Sequence, residues 1–152
     1  MKAKLSITVG LPGSGKSTWL KERRENGQYA VVLCPDDFRF DLTGQYYYPP
    51  AEDDVWAQVK RAARVLLRNG YHVIIDATSL TAWSRKQWVK LAQTLEVPID
   101  AYIFITPKDI CLERNAERDR VVPPEVINRM AAGFQEVDEN EGFDAIHTIK
   151  GT

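Results

Sequence analysis

Gly10-Leu11-Pro12-Gly13-Ser14-Gly15-Lys16-Ser17-Thr18 decides how the rest of the chain is read. Counted from Gly10 through Gly15, Lys16 and Ser17, it fits G-x-x-x-x-G-K-[ST] at all its fixed positions. The context fits as well, with the apolar run Leu5-Ser6-Ile7-Thr8-Val9 ahead of it and a helical segment behind. Glycines so placed let backbone N–H groups converge on phosphate oxygens, and the N-terminus of the following helix adds a favourable dipole. In such a loop Gly13, Ser14, Gly15 and Thr18 line a nucleotide's phosphates and Lys16 reaches the β and γ phosphates. The Ser17 hydroxyl ligates Mg²⁺. A purely structural glycine turn is the bland alternative, and the agreement of every fixed position with its context argues against it.

On either side of the helical segments, short runs rich in β-branched and aromatic residues recur. They are Tyr29-Ala30-Val31-Val32-Leu33, Tyr71-His72-Val73-Ile74-Ile75, Ala101-Tyr102-Ile103-Phe104-Ile105 and Ala145-Ile146-His147-Thr148-Ile149. Several lack clean alternation, as expected of parallel strands covered on both faces. Between them the period changes. Val55, Trp56, Val59, Ala62, Ala63, Leu66 and Leu67 recur at helical spacing after Glu52-Asp53-Asp54 and stop at Asn69-Gly70. Trp88, Leu91, Ala92 and Leu95 mark a helix ended by Pro98, and Thr106-Pro107 reads as an N-cap opening a helix through about Arg118. Pro123-Pro124 opens a last one. The alternation predicts an α/β fold with a doubly wound, mainly parallel five-stranded sheet flanked by helices.

At 152 residues the chain is about one domain's worth, so a single domain over residues 1–152 is expected. Its two cysteines, Cys34 and Cys111, have no partner at metal-ligand spacing, which reads as a reduced, cytoplasmic protein. Lys and Arg number 20 against 21 acidic residues, a formal charge of −1. That balance excludes a strongly basic protein that coats nucleic acid nonspecifically, though not a small basic groove. No run approaches the roughly 18 apolar residues of a membrane span, so no membrane partner is expected. Met1 to Val9 runs into the glycine loop and not into a cleavage site, and is read as a first strand and not a signal peptide.

Three further segments carry candidate chemistry. Cys34-Pro35-Asp36-Asp37-Phe38-Arg39 follows the second strand, at the end where open α/β sheets bind ligands. A carboxylate there can take a proton from, or orient, an acceptor hydroxyl, and an arginine one loop turn away can hold an anion on the acceptor. Capping of a helix by Asp36 and Asp37 is the alternative. Asp76 closes the third strand where an acid that binds Mg²⁺ would sit, and Thr81 is better placed than Asp76 to cap the next helix. Arg114 and Arg118, four apart in a charged run before Pro123-Pro124, would share a helix face and suit a lid closing over ATP. A solvated face, with Glu113 and Glu117 as partners, explains them equally well. Tyr46-Tyr47-Tyr48 could stack on bases, but tyrosines in a proline-bounded loop more often cover a core edge. Trp19, Trp56, Trp83 and Trp88 are expected in the core, and His72 and His147, inside strands, outside any catalytic site.

Taken together, Gly13-Ser14-Gly15-Lys16-Ser17-Thr18-Trp19, Asp36-Asp37-Phe38-Arg39, Asp76-Ala77-Thr78, Glu113-Arg114-Asn115-Ala116-Glu117-Arg118 and Val122-Pro123-Pro124-Glu125-Val126 resemble the kinase domain of the phage-type and bacterial polynucleotide 5′-kinases. The resemblance implies a P-loop kinase fold with a small helical lid at about residues 112–125. It implies transfer of the γ-phosphoryl group of ATP, or another NTP, to a nucleic-acid 5′-hydroxyl, with Mg²⁺ and a place in nucleic-acid repair; the rival readings are a P-loop kinase of a small-molecule alcohol (sugar, nucleoside or antibiotic) and a non-catalytic ATP-binding switch. Asp36 would be the general base and Arg39 would bind the acceptor's neighbouring phosphate. Lys16 and Ser17 would hold ATP and Mg²⁺, the metal shared with Asp76. Arg118 and Arg114 would engage the donor from the lid. The chain departs from the family's pattern at Thr78-Ser79, where relatives often show Thr-Asn. A D-x-D-G-T phosphatase half has no room, so removal of 3′-phosphates is not expected.

Overall fold

The β-branched runs pair side by side in a computed structural model of the protein, which describes residues 3–25, 27 and 30–150. β1 (Lys4–Val9), β2 (Val31–Leu33), β3 (His72–Ile75), β4 (Ile99–Ile105) and β5 (Ala145–Lys150) form one sheet in the order β2-β3-β1-β4-β5. Every neighbouring pair is parallel. Tyr29, placed by the sequence at the head of the second strand, lies outside the described residues, as do Met1 and Lys2. The helices are α1 (Lys16–Glu25), α2 (Pro35–Thr43), α3 (Glu52–Arg68), α4 (Ala82–Leu95), α5 (Lys108–Ala116) and α6 (Pro124–Ala132).

One face of the sheet carries the core. Leu5, Ile7 and Val9 pair in register with Val73, Ile75, Ile99, Ala101 and Ile103. They pack against the four-residue stripe Val55, Val59, Ala63 and Leu67 of α3 and against Trp88, Val89, Leu91 and Ala92 of α4. Burying each such aliphatic side chain is worth about 1.5–3 kcal/mol, so this face dominates the stability. On the other face Trp19 of α1 lies 4.6 Å from the Tyr102 ring and 5.5 Å from Phe104. Both histidines are spent there: His72 Nε2 is 2.8 Å from Ser6 Oγ, and His147 Nε2 is 3.3 Å from Asp100 Oδ2.

Topology opens the crevice. The connection leaving β1 runs to β2 at one edge, while that leaving its neighbour β3 crosses to β4 on the far side of β1. Two adjacent strands whose connections diverge leave a gap at their carboxyl ends, the usual ligand position in doubly wound sheets.

Several local expectations change in three dimensions. Pro107, not Thr106, is the N-cap of α5, and the Thr106 hydroxyl instead donates to the Ser14 carbonyl at 2.9 Å. α5 stops at Ala116, because its last turn tightens into bonds from Glu117 N to Arg114 O and from Arg118 N to Asn115 O, both 3.2 Å. Arg118 therefore lies beyond the helix and does not share a helical face with Arg114. Trp83 is 74% exposed in the first turn of α4, whereas Trp88 is buried. Thr81 does cap α4, in a capping box with Ser84.

Arg85 is the largest fully buried side chain and no sequence pattern singles it out. Its Nε donates to Glu141 Oε1 at 2.8 Å, Nη1 to Ser79 O at 2.9 Å and Nη2 to Gln135 O at 2.9 Å. It thus clasps the segment after α6 to the turn after β3, where Ser79 holds a left-handed φ of 48°. Arg85→Met should cost about 3–5 kcal/mol by leaving Glu141 and these carbonyls without their cation. Urea unfolding measures it, and a loss below about 1 kcal/mol would mean that the segment is held by other contacts.

Candidate active site

Three segments meet at the crevice: the glycine loop after β1, the start of α2 after β2, and Asp76 after β3. The loop is wedged against α5. A Cβ on Gly13, whose φ is +82°, would stand 2.5 Å from the Cys111 carbonyl oxygen, so both the conformation and the space demand glycine. The ladder of α1 begins with Trp19 N donating to Gly15 O at 3.0 Å. The N–H groups of Lys16, Ser17 and Thr18 therefore precede it and belong to the helix's anion-binding end.

Lys16 is half-buried beneath the loop and donates from Nζ to Gly10 O at 2.8 Å, Leu11 O at 2.7 Å and Ser14 Oγ at 3.3 Å. Loss of hydration lowers its pKa to about 8, with Asp76 pulling the other way and Arg118 adding to the depression. Burial raises the Asp76 carboxyl above its ordinary range, opposed by the Lys16 charge. Burial likewise pushes the Cys34 thiol up to about 11, with Asp76 adding to it.

Asp36 stands in the first turn of α2, and Cys34 is the N-cap. Its carboxylate does not cap the helix. Oδ1 accepts from Arg39 Nη1 at 2.7 Å and Oδ2 from Arg120 Nη1 at 3.0 Å. Arg39, 8% exposed, is gripped side-on by Glu52 through Nε at 2.9 Å and Nη2 at 2.7 Å. These bonds hold the Glu52 carboxyl below, and raise the Arg39 guanidinium above, their ordinary ranges. Trp56 Nε1 also donates to Glu52, at 2.9 Å. Three of the guanidinium's five donors are thereby used, leaving one N–H on each terminal nitrogen of Arg39.

Past α5 the chain doubles back. The buried Asn115 side chain donates to Val122 O at 2.6 Å and accepts from Val122 N at 3.0 Å, closing the intervening charged loop. Arg118 is exposed on that loop, and its charge bears on both Lys16 and Asp76. Arg114 stays at the end of α5, where its charge acts on the Cys111 thiol. Arg120 reaches furthest, to Asp36 and to the Tyr46 ring, 3.9 Å from its centroid. Tyr46 in turn stacks on Phe40 with centroids 4.6 Å apart. The tyrosines do not cover a core edge: Tyr46 and Tyr48 are about two-fifths exposed and Tyr47 is 81% exposed. Sequence reasoning thus missed Glu52, taken as a helix start, and Arg120, one cation in a charged run. Only their partners distinguish them.

Ser17, exposed at the start of α1, and Asp76 offer hard oxygen donors of the kind Mg²⁺ takes. Among the described residues no group of three or more His, Cys, Asp or Glu forms a cation cage. Mg²⁺ ordinarily needs only one or two protein oxygens beside substrate phosphates and water, so the pair fits it.

A parallel sheet with a glycine loop and Lys16 at its switch point, and with acids after β2 and β3, is a P-loop kinase-like fold. The chain belongs to the AAA domain family, whose model matches residues 5–137. It is 33% identical over 139 residues to NEDD4-binding protein 2 of Homo sapiens, covering 86% of this chain and 8% of that protein. It is 25% identical over 150 residues to the bifunctional polynucleotide phosphatase/kinase of Schizosaccharomyces pombe, covering 94% of this chain and 32% of that one. Among solved structures, the Pnkp1/Rnl/Hen1 RNA repair complex contains a chain that superposes with a TM-score of 0.77 at 27% identity, over 87% of this chain and 44% of that one. The chain thus spans less than half the length of each.

Lys16 should make the binding of a polyphosphate at this loop sensitive to pH. A bound polyphosphate raises the pKa of a lysine that starts near 8, so binding takes up a proton and affinity falls as pH rises through about 8. Calorimetry of ATP binding at pH 8.5 in two buffers of different ionisation enthalpy should show net proton uptake that Lys16→Met abolishes. Equal uptake in the variant would assign the proton to another group.

Proposed function

We propose that the protein is a Mg²⁺-dependent kinase that transfers the γ-phosphoryl group of ATP, or another NTP, to the 5′-hydroxyl of DNA or RNA. The observation that carries this reading is the braced pair Asp36 and Arg39 at the crevice, one helical turn apart and joined at 2.7 Å. A carboxylate is poised there beside an arginine that keeps two donors for an anion. A switch that only binds nucleotide has no use for such a pair, and an acceptor bearing both a hydroxyl and a nearby phosphate does. The name of the fission-yeast relative, a polynucleotide phosphatase/kinase, and the RNA repair complex support the same substrate class and a role in nucleic-acid repair.

The acceptor oxygen attacks the γ-phosphorus, its proton passes to the Asp36 carboxylate, and the bond to the β–γ bridging oxygen breaks to release the nucleoside diphosphate. Arg39 orients the acceptor by its phosphate. Lys16 leaves the loop carbonyls for the β and γ phosphates, exchanging neutral acceptors for charged ones. Gly13, Ser14, Gly15 and Thr18 supply the backbone cradle around them. Arg118 places a cation over the transferring group, and Arg114 supports the lid's root. Mg²⁺, held by Ser17 and Asp76, would neutralise charge on the phosphate oxygens when bound.

γ-Labelled ATP incubated with a 5′-hydroxyl oligonucleotide, a nucleoside 3′-monophosphate, a plain nucleoside and a panel of small alcohols tests the reading. The 3′-monophosphate should exceed the nucleoside in kcat/KM, and Arg39→Ala should erase most of that margin, on the order of 1.5–3 kcal/mol. Equal use of the two by the unaltered protein would reject a polynucleotide acceptor. Asp36→Asn should lower transfer roughly 10²- to 10⁴-fold with ATP affinity nearly unchanged, and Lys16→Ala should cost about a hundredfold or more. Near-normal turnover in either variant would remove that residue from the mechanism.

A further inference from the structure

Arg120 has no part in the scheme above, although it bridges the loop after α5 to the proposed base. It leaves the charged loop after α5 and ends between two groups of the acceptor side, Asp36 at 3.0 Å and the Tyr46 ring at 3.9 Å from the centroid. The hydrogen bond and the ring contact fix the position of its guanidinium, which lies over the face of Tyr46. Among the described residues no other ring is placed on the guanidinium, and the Arg120 side chain remains 35% exposed.

Phe40 and Tyr46 lie with centroids 4.6 Å apart and planes 27° from parallel, so the ring that carries Arg120 is itself braced by a residue of α2. A partly exposed guanidinium over a braced ring, with one nitrogen bonded to the proposed base, has a definite chemical complement. It is a flat, electron-rich ring attached a few bonds away from the hydroxyl that Asp36 receives. Guanidinium and aromatic planes accept any base, because every base presents a π-face. A surface ion pair alone would have no need of the tyrosine beneath, and a lysine would serve it as well.

We propose that the guanidinium of Arg120, seated on Tyr46, is the stacking platform for the 5′-terminal nucleobase of the acceptor strand. This rests on the polynucleotide reading of the site and adds to it a residue that recognises the acceptor's base without regard to its identity. Because Arg120 stands on the loop clasped by Asn115, the platform belongs to the lid. Acceptor binding and lid position are then coupled through one side chain.

The test compares two 5′-hydroxyl trinucleotides, one complete and one lacking only the 5′-terminal base. Their dissociation constants are measured by titration with no nucleoside triphosphate present. The unaltered protein should favour the complete strand by about 5- to 150-fold, the range that stacking of one base provides. Arg120→Ala and Arg120→Lys should both bring the ratio close to one, and Tyr46→Ala should lower it. A ratio near one in the unaltered protein, a ratio preserved in Arg120→Ala, or restoration by lysine would each overturn the platform. Restoration by lysine would leave Arg120 as an ion-pair partner of Asp36 alone. Urea unfolding of the variants confirms that each is folded. Label transfer from γ-labelled ATP to the complete strand is followed separately. Its failure in the unaltered protein counts against the kinase reading, while the binding ratio still decides the platform.

Discussion

The hydroxyl of Thr8 donates to the Ala77 carbonyl at 2.8 Å and accepts the Ala77 N–H at 3.1 Å, and this buried link sets the span between the ends of β1 and β3. Gly10 N adds a bond to Thr78 O at 3.0 Å, and Asp76 N one to Leu33 O at 2.9 Å. The chain cannot continue pairing beyond these points, because its connections part in opposite directions. The glycine loop and Asp76 are therefore held facing one another by backbone geometry and not by their own side chains. A site for a highly charged ligand needs such a frame, since like-charged groups held near each other would otherwise move apart.

Charge around the crevice is arranged in two tiers. The inner tier, Lys16 with Asp76, is poorly hydrated, and each group is shifted toward its neutral form while drawing the other toward its charged form. The outer tier, Asp36 with Arg39, Glu52 and Arg120, is more accessible and is organised by direct hydrogen bonds. A single ion pair at such exposure would contribute little, about 0–1 kcal/mol, but a network in which Glu52 meets the Arg39 fork and Asp36 is shared by two guanidiniums holds its members in fixed orientations. Orientation, more than stability, is what the outer tier supplies. The near-zero net charge is compatible with this, because the cations that matter are gathered at one edge and not spread over the surface.

The regular elements and the glycine loop were written in the sequence. A strand's burial and a helix's stripe are periodic local properties, and the loop's demands fall on adjacent residues, so Val55 to Leu67 and Gly10 to Ser17 announce themselves. The element ends were less legible. Thr106-Pro107 imitates a cap and its proline, yet the Thr106 hydroxyl is taken by Ser14, and α5 ends at Ala116 as its last turn tightens into bonds from Glu117 N and Arg118 N. Asp36 and Arg39 were readable from position at a strand's end. Glu52 and Arg120 were not, and neither was Arg85, which looks like an ordinary polar residue on a helix.

By itself, then, the sequence determined which segments are strands and helices, that they wind into a parallel sheet, and where phosphates are to be held. Tertiary structure alone decided which charge meets which: that Asp36 is shared by Arg39 and by an arginine 84 residues away, that Arg39 is braced by Glu52, and that Tyr46 faces outward beneath a cation. The physical reason is range. Propensity and periodicity act over a few neighbouring residues, whereas an ion pair or a stacked ring depends on distances set only when the sheet closes and the loop after α5 folds back.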